Sequence, residues 1–151
     1  MKLKRRILNA ILDFEKWLLE EPIPDHWQKV DWTFILEQII EAFPFAKIYV
    51  ADRYYYLCTL QDVFDFLDSD ETDKEHYVSE WFDCDNFSFR LMGQFQVKPW
   101  SAIAMAIVWS GTHAYNLVVV TAEGVFLIEP QTDKLFRPNS GSVYDSELII
   151  I

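Results

Sequence analysis

The sequence predicts an α+β fold with a helical N-terminal region packed on an antiparallel β-meander. Two observations carry this expectation. Apolar residues recur at helical spacing near the start of the chain, whereas three apolar runs separated by short turns follow between residues 102 and 128. Helices come first and strands after them, without the regular strand–helix alternation of a parallel sheet.

Residues 3–20 predict a helix with Leu3, Ile7, Leu8, Ile11, Leu12, Leu18 and Leu19 on its apolar face, stopped by Pro22 and Pro24. Asp31 is placed to cap a second helix through Ala42, with Ile35, Leu36, Ile39 and Ile40 inward. Ala46–Ala51 predicts a short strand, and Tyr54–Leu57 an extended or irregular continuation. Thr59 caps a third helix through Leu67, followed by an acidic loop over residues 68–73. Asp83 caps a fourth, in which Cys84, Phe87, Leu91 and Phe95 share one face. Ala102–Trp109, His113–Val120 and Val125–Ile128 predict the meander, with Ala122-Glu123-Gly124 as its hairpin turn. The expected organisation is a single domain over residues 1–151. It comprises a helical N-terminal region (residues 1–45), a core (residues 46–136) and an irregular tail (residues 137–151).

The 151 residues suffice for a hydrophobic core, and the apolar fraction of 51% with only four glycines excludes a disordered chain. A net charge of −11 argues against nucleic acid as a partner. No apolar run approaches the roughly 18 residues of a membrane span. The basic start, Met1–Arg6, is followed by an apolar run broken at Asn9 and Asp13, which favours a helix start over a signal peptide. A cytoplasmic protein is expected, with Cys58 and Cys84 as free thiols and no structural zinc.

Three residues could carry chemistry. Cys84 falls in the first turn of its helix, where unpaired N–H groups and the helix dipole favour an activated sulfur. A small buried core cysteine is the plain alternative. If Val120 pairs with Val125, Glu129 falls opposite Asn116, and a slip of one or two residues brings it closer to His113. Such a carboxylate could hold the imidazole in one orientation.

Trp81-Phe82-Asp83-Cys84-Asp85-Asn86-Phe87, Gly111-Thr112-His113-Ala114-Tyr115-Asn116 and Ile128-Glu129-Pro130-Gln131-Thr132-Asp133 together resemble small papain-like proteins. They are similar to the C-terminal cysteine-protease domain of mushroom agglutinins and, more loosely, to transglutaminase-like cysteine peptidases. The resemblance covers about residues 46–136. It implies a papain-like / transglutaminase-like fold, a cysteine-nucleophile hydrolase or peptidase acting on a protein or peptide substrate, and a catalytic triad of Cys84 as nucleophile, His113 as base and Glu129 as orienting acid. It makes a Ca²⁺ requirement thinkable, with Asp83 and Asp85 as candidate ligands. One departure stands out: no Asn or Gln lies between Gln61 and Cys84 to supply an oxyanion donor. Gln131 is the candidate substitute. The rival expectation is a catalytically silent binding module that works through exposed aromatics among Tyr54, Tyr55, Tyr56, Trp81 and Trp100.

Overall fold

The structure is a computed structural model that describes residues 23–138 and 146–151. The helix expected over residues 3–20 lies outside the described residues. The strands are β1 (Gln28–Asp31), β2 (Lys47–Tyr49), β3 (Tyr54–Leu57), β4 (Met105–Trp109), β5 (Ala114–Val120), β6 (Gly124–Glu129), β7 (Lys134–Phe136) and β8 (Leu148–Ile150). The helices are α1 (Trp32–Ala42), α2 (Leu60–Ser69) and α3 (Cys84–Phe95).

Each helix starts where a side chain can take an orphan N–H. The Asp31 carboxylate accepts from the Thr33 N–H at 3.0 Å to open α1. At α2, the Asp62 N–H donates to the Thr59 hydroxyl while the Thr59 N–H donates to Asp62, a reciprocal capping box. At α3, the Asp83 N–H donates to the Asn86 side chain at 3.1 Å.

Six strands form one mixed sheet in the order β2-β8-β4-β5-β6-β7, and β1 pairs with β3 in a separate antiparallel ribbon. Along β5 the side chains alternate between two cores. Tyr115, Leu117 and Val119 pack in the cluster that contains Ile35, Ile39 and Phe43 of α1 and its C-terminal cap. Val118 and Val120 pack instead with Val63, Phe66 and Leu67 of α2 and with Leu91 and Phe95 of α3. The sheet is therefore buried on both faces, which explains why β5 is apolar at nearly every position. Burying Leu91 or Phe95 contributes about 1.5–3 kcal/mol each.

Three expectations are corrected here. The papain-like / transglutaminase-like α+β layout placed a helical region against an antiparallel meander, but helices cover both faces of a mixed sheet. The supposedly irregular tail supplies β8, which pairs parallel to β2 and antiparallel to β4, with Ile149 fully buried between them. A three-residue strand whose partners lie far away in the chain leaves no local pattern to read. The β5–β6 hairpin also differs: Gly124 pairs with Val120, so the turn is Thr121–Glu123. Ala122 and Gly124 both adopt positive φ, 63° and 73°, which tightens the hairpin by one position.

Candidate functional site

The one-position shift places Glu129 beside Tyr115 instead of Asn116 and brings it within reach of His113. The His113 Nε2 lies 2.7 Å from a Glu129 oxygen, with both side chains mostly buried. The His113 ring also stacks on Tyr115, with centroids 5.9 Å apart. The Tyr115 hydroxyl meets the Ser146 hydroxyl at 2.8 Å. Ser110 fixes the entry to this strand, because its hydroxyl accepts from the His113 N–H at 3.1 Å.

Cys84 stands half-buried at the N-terminus of α3 and forms no disulfide. Its turn is tied to the sheet through a polar relay. The Ser88 hydroxyl donates to the Cys84 carbonyl at 2.9 Å, and the buried Asn116 amide donates to the Ser88 carbonyl at 3.1 Å. Asn116 Nδ2 also reaches the Ala106 carbonyl at 3.3 Å. One polar residue in an otherwise apolar strand thus docks the helix, since its donors would be costly to bury unpaired.

The other predicted residues take different places. Gln131 contributes its backbone, whose N–H donates to Glu129 at 3.4 Å. Asp83 accepts from the Glu80 N–H at 3.3 Å. The Asp85 carboxyl is raised above its ordinary range by its hydrogen bond with Asp83, with burial and the Asp83 charge adding to the effect. Among the described residues, no group of three or more His, Cys, Asp or Glu side chains is placed to hold a metal ion.

Of the aromatics singled out for contact, Trp81 is 83% exposed and Tyr54 46%. Tyr55 is buried, as strand alternation in β3 requires, and its hydroxyl donates to the Ile151 carbonyl. Trp100 belongs to an aromatic cluster with Trp27, Phe66 and Phe95. No sequence motif marks Trp32 or Arg53. Both line a cavity of about 640 Å³ at the start of α1. A residue directly after an N-cap is the only local signal that could have pointed to Trp32.

The mixed sheet with its flanking helices is a fold found among solved structures of lectin complexes. The chain is similar to Polyporus squamosus lectin bound to the human-type influenza-binding epitope Neu5Acα2-6Galβ1-4GlcNAc, with 19% identity and a TM-score of 0.58, over 82% of this chain and 49% of that one. It is also similar to the "PSL1a-E64 complex", with 19% identity and a TM-score of 0.67, over 82% of this chain and 51% of that one. The chain thus spans about half the length of these neighbours, and the likeness concerns the fold. No family model matches the sequence, and no curated protein does.

This finding corrects the resemblance drawn from the motifs. The fold is the one shared with these lectin structures, and the papain-like cysteine-peptidase assignment is withdrawn. The cysteine-hydrolase reading and its catalytic triad are withdrawn with it, since the structures of like fold are those of a lectin. The roles expected of Cys84, His113, Glu129 and Gln131 depended on that reading and are not carried forward.

Proposed function

We propose that this chain is a binding module that takes a saccharide. The observation that carries the reading is the likeness of its fold to a lectin structure that holds a glycan. Exposed aromatic rings support it, because a ring with one face in solvent offers an apolar platform to the C–H face of a sugar. Trp81 is such a ring, 83% exposed, and Trp32 is 39% exposed. The charge of −11 limits the partner class further by disfavouring polyanions.

The test is calorimetric titration of the chain with Galβ1-4GlcNAc and with Neu5Acα2-6Galβ1-4GlcNAc. Saturable binding of either is the expected result. E64 is titrated alongside, as the molecule named with the other neighbour. Binding of E64 with no heat from either glycan up to millimolar concentration would overturn the saccharide reading.

A further inference from the structure

The six-stranded sheet ends on one side at β2, which pairs with β8 alone among the described residues. The ladder uses alternate residues of the strand. The Lys47 and Ala51 N–H groups donate to the Glu147 and Ile151 carbonyls at 2.8 Å, and the Tyr49 carbonyl accepts from the Ile151 N–H at 3.0 Å. Alternation turns the backbone groups of Ile48 and Val50 the other way, out of the sheet edge. Such an edge is a template for another strand unless proline, a bulge or charge blunts it. β2 contains no proline, and Lys47 is its single charge.

Apolar surface borders the same edge. The side chains of Ala46, Ile48 and Val50 pack on the core beneath α1, whereas Lys47 and Tyr49 are exposed on the opposite face, Tyr49 by 64%. Trp32, Leu36 and Ile40 recur every four residues along one flank of α1, and Trp32 and Ile40 are exposed. Trp32 and Leu36 line an open hollow together with Ile48 and Val50, so this flank stands over the edge. Charge concentrates elsewhere. Ten of the 24 carboxylates fall between Asp62 and Asp85, where Lys74 is the only base. That stretch belongs to α2, the start of α3 and their connection, and α3 packs on β4 and β5.

We propose that β2 pairs antiparallel with β2 of a second copy of this chain, about a two-fold axis at Ile48, and so joins two six-stranded sheets edge to edge. In that register the Ile48 N–H and carbonyl meet those of the partner subunit's Ile48. The Val50 N–H donates to the partner subunit's Ala46 carbonyl. Lys47 comes opposite the partner subunit's Tyr49, a cation beside an aromatic ring. The strand is its own complement, which favours a second copy over an unrelated strand. Lys47 also fixes the register, because moving the axis back by one residue sets it against the partner subunit's Lys47. The axis runs through the sheet, so both α1 helices lie on one face and their Trp32, Leu36 and Ile40 flanks adjoin across the seam. The pairing stands whatever the chain binds.

The test is sedimentation equilibrium of the full chain from micromolar to near-millimolar concentration. It compares the wild type, Tyr49→Lys, the double variant Lys47→Glu/Tyr49→Lys, and Phe64→Lys on α2. Tyr49 and Phe64 are both exposed, and thermal melts check that each variant is folded. The wild type should show a reversible monomer–dimer equilibrium. Tyr49→Lys places like charges across the seam and should weaken the dimer roughly tenfold or more, although its lower net charge alone would strengthen it. The double variant sets opposite charges across the seam and should regain the dimer. Phe64→Lys, with the same change in net charge, should dimerise at least as well as the wild type. A dimer that Tyr49→Lys leaves intact, or one that the double variant does not regain, overturns the pairing. A wild type that stays monomeric overturns it too, and slow hydrogen exchange of the Ile48 and Val50 amides in that monomer would give the edge to another segment of the chain.

Discussion

His113 and Glu129 meet at 2.7 Å across the ends of β5 and β6, although neither lies directly opposite the other in the ladder. The contact is a diagonal one, of the kind that long side chains make on one face of a sheet. Tyr115 beneath the imidazole and the Gln131 N–H beneath the carboxylate hold the two in register.

This arrangement has a measurable stability consequence. Glu129→Ala removes a charge-capable hydrogen bond to a mostly buried ring and leaves the Gln131 N–H without that acceptor. The expected loss is about 1–3 kcal/mol, read from urea unfolding. Glu129→Gln, which keeps an acceptor, should lose less. Equal losses for both variants would show that the hydrogen bond is not what Glu129 contributes.

Asp133 predicts a pH effect of opposite sign to ordinary acid unfolding. Burial, with the charges of Asp73 and Asp70 adding, pushes its carboxyl up to about 6. Between its ordinary range and that value the folded chain binds more protons than the unfolded one. Its contribution to stability therefore falls as pH rises across that window and is flat above it. One of its oxygens is buried without a partner, and its φ of 54° is one that asparagine tolerates. Asp133→Asn should raise stability at pH 7 by roughly 1–3 kcal/mol and change little near pH 4. A gain of the same size at both pH values would refute the electrostatic account.

Asp62 behaves in the usual sense. Burial pushes its carboxyl up, but hydrogen bonds from Thr59 and the contact with His26 outweigh this and leave it lowered. The Trp27 indole also donates to it at 3.2 Å. Its stabilisation is present above the ordinary carboxylate range and is lost as pH falls through the lowered value. Asp62→Ala should cost about 2–3 kcal/mol at pH 7. The gap to wild type should shrink in acid, as followed by denaturant midpoints at a series of pH values.

The two cysteines should separate cleanly in alkylation. Burial, with the Asp62 charge adding, pushes the Cys58 thiol up to about 12, and its side chain is fully buried. Iodoacetamide at pH 8 should label Cys84 in the folded chain and reach Cys58 only after unfolding, as resolved by peptide mass spectrometry. Labelling of both at similar rates in the native state would contradict the packing around Cys58.

The sequence by itself determined the elements whose stabilising contacts are local. Asp31 and Thr59 are legible as caps because each acts on an N–H two or three residues ahead. The three central strands are legible because their apolar runs leave no other place to be buried, and the helical face of Phe87, Leu91 and Phe95 follows from spacing alone. Only the tertiary structure decided the rest. The pairing of β8 between β2 and β4, the hairpin register that carries Glu129 to His113, the burial of Tyr55 and the packing of Trp100 against Trp27 all depend on partners distant in the chain. The cavity at Trp32 and Arg53 arises the same way, from a helix start, a sheet edge and a loop that meet only on folding. Motif order near Cys84, His113 and Glu129 suggested a hydrolase, because short motifs report which groups are present. The fold that displays them is set by non-local packing, whose free energy no single segment encodes.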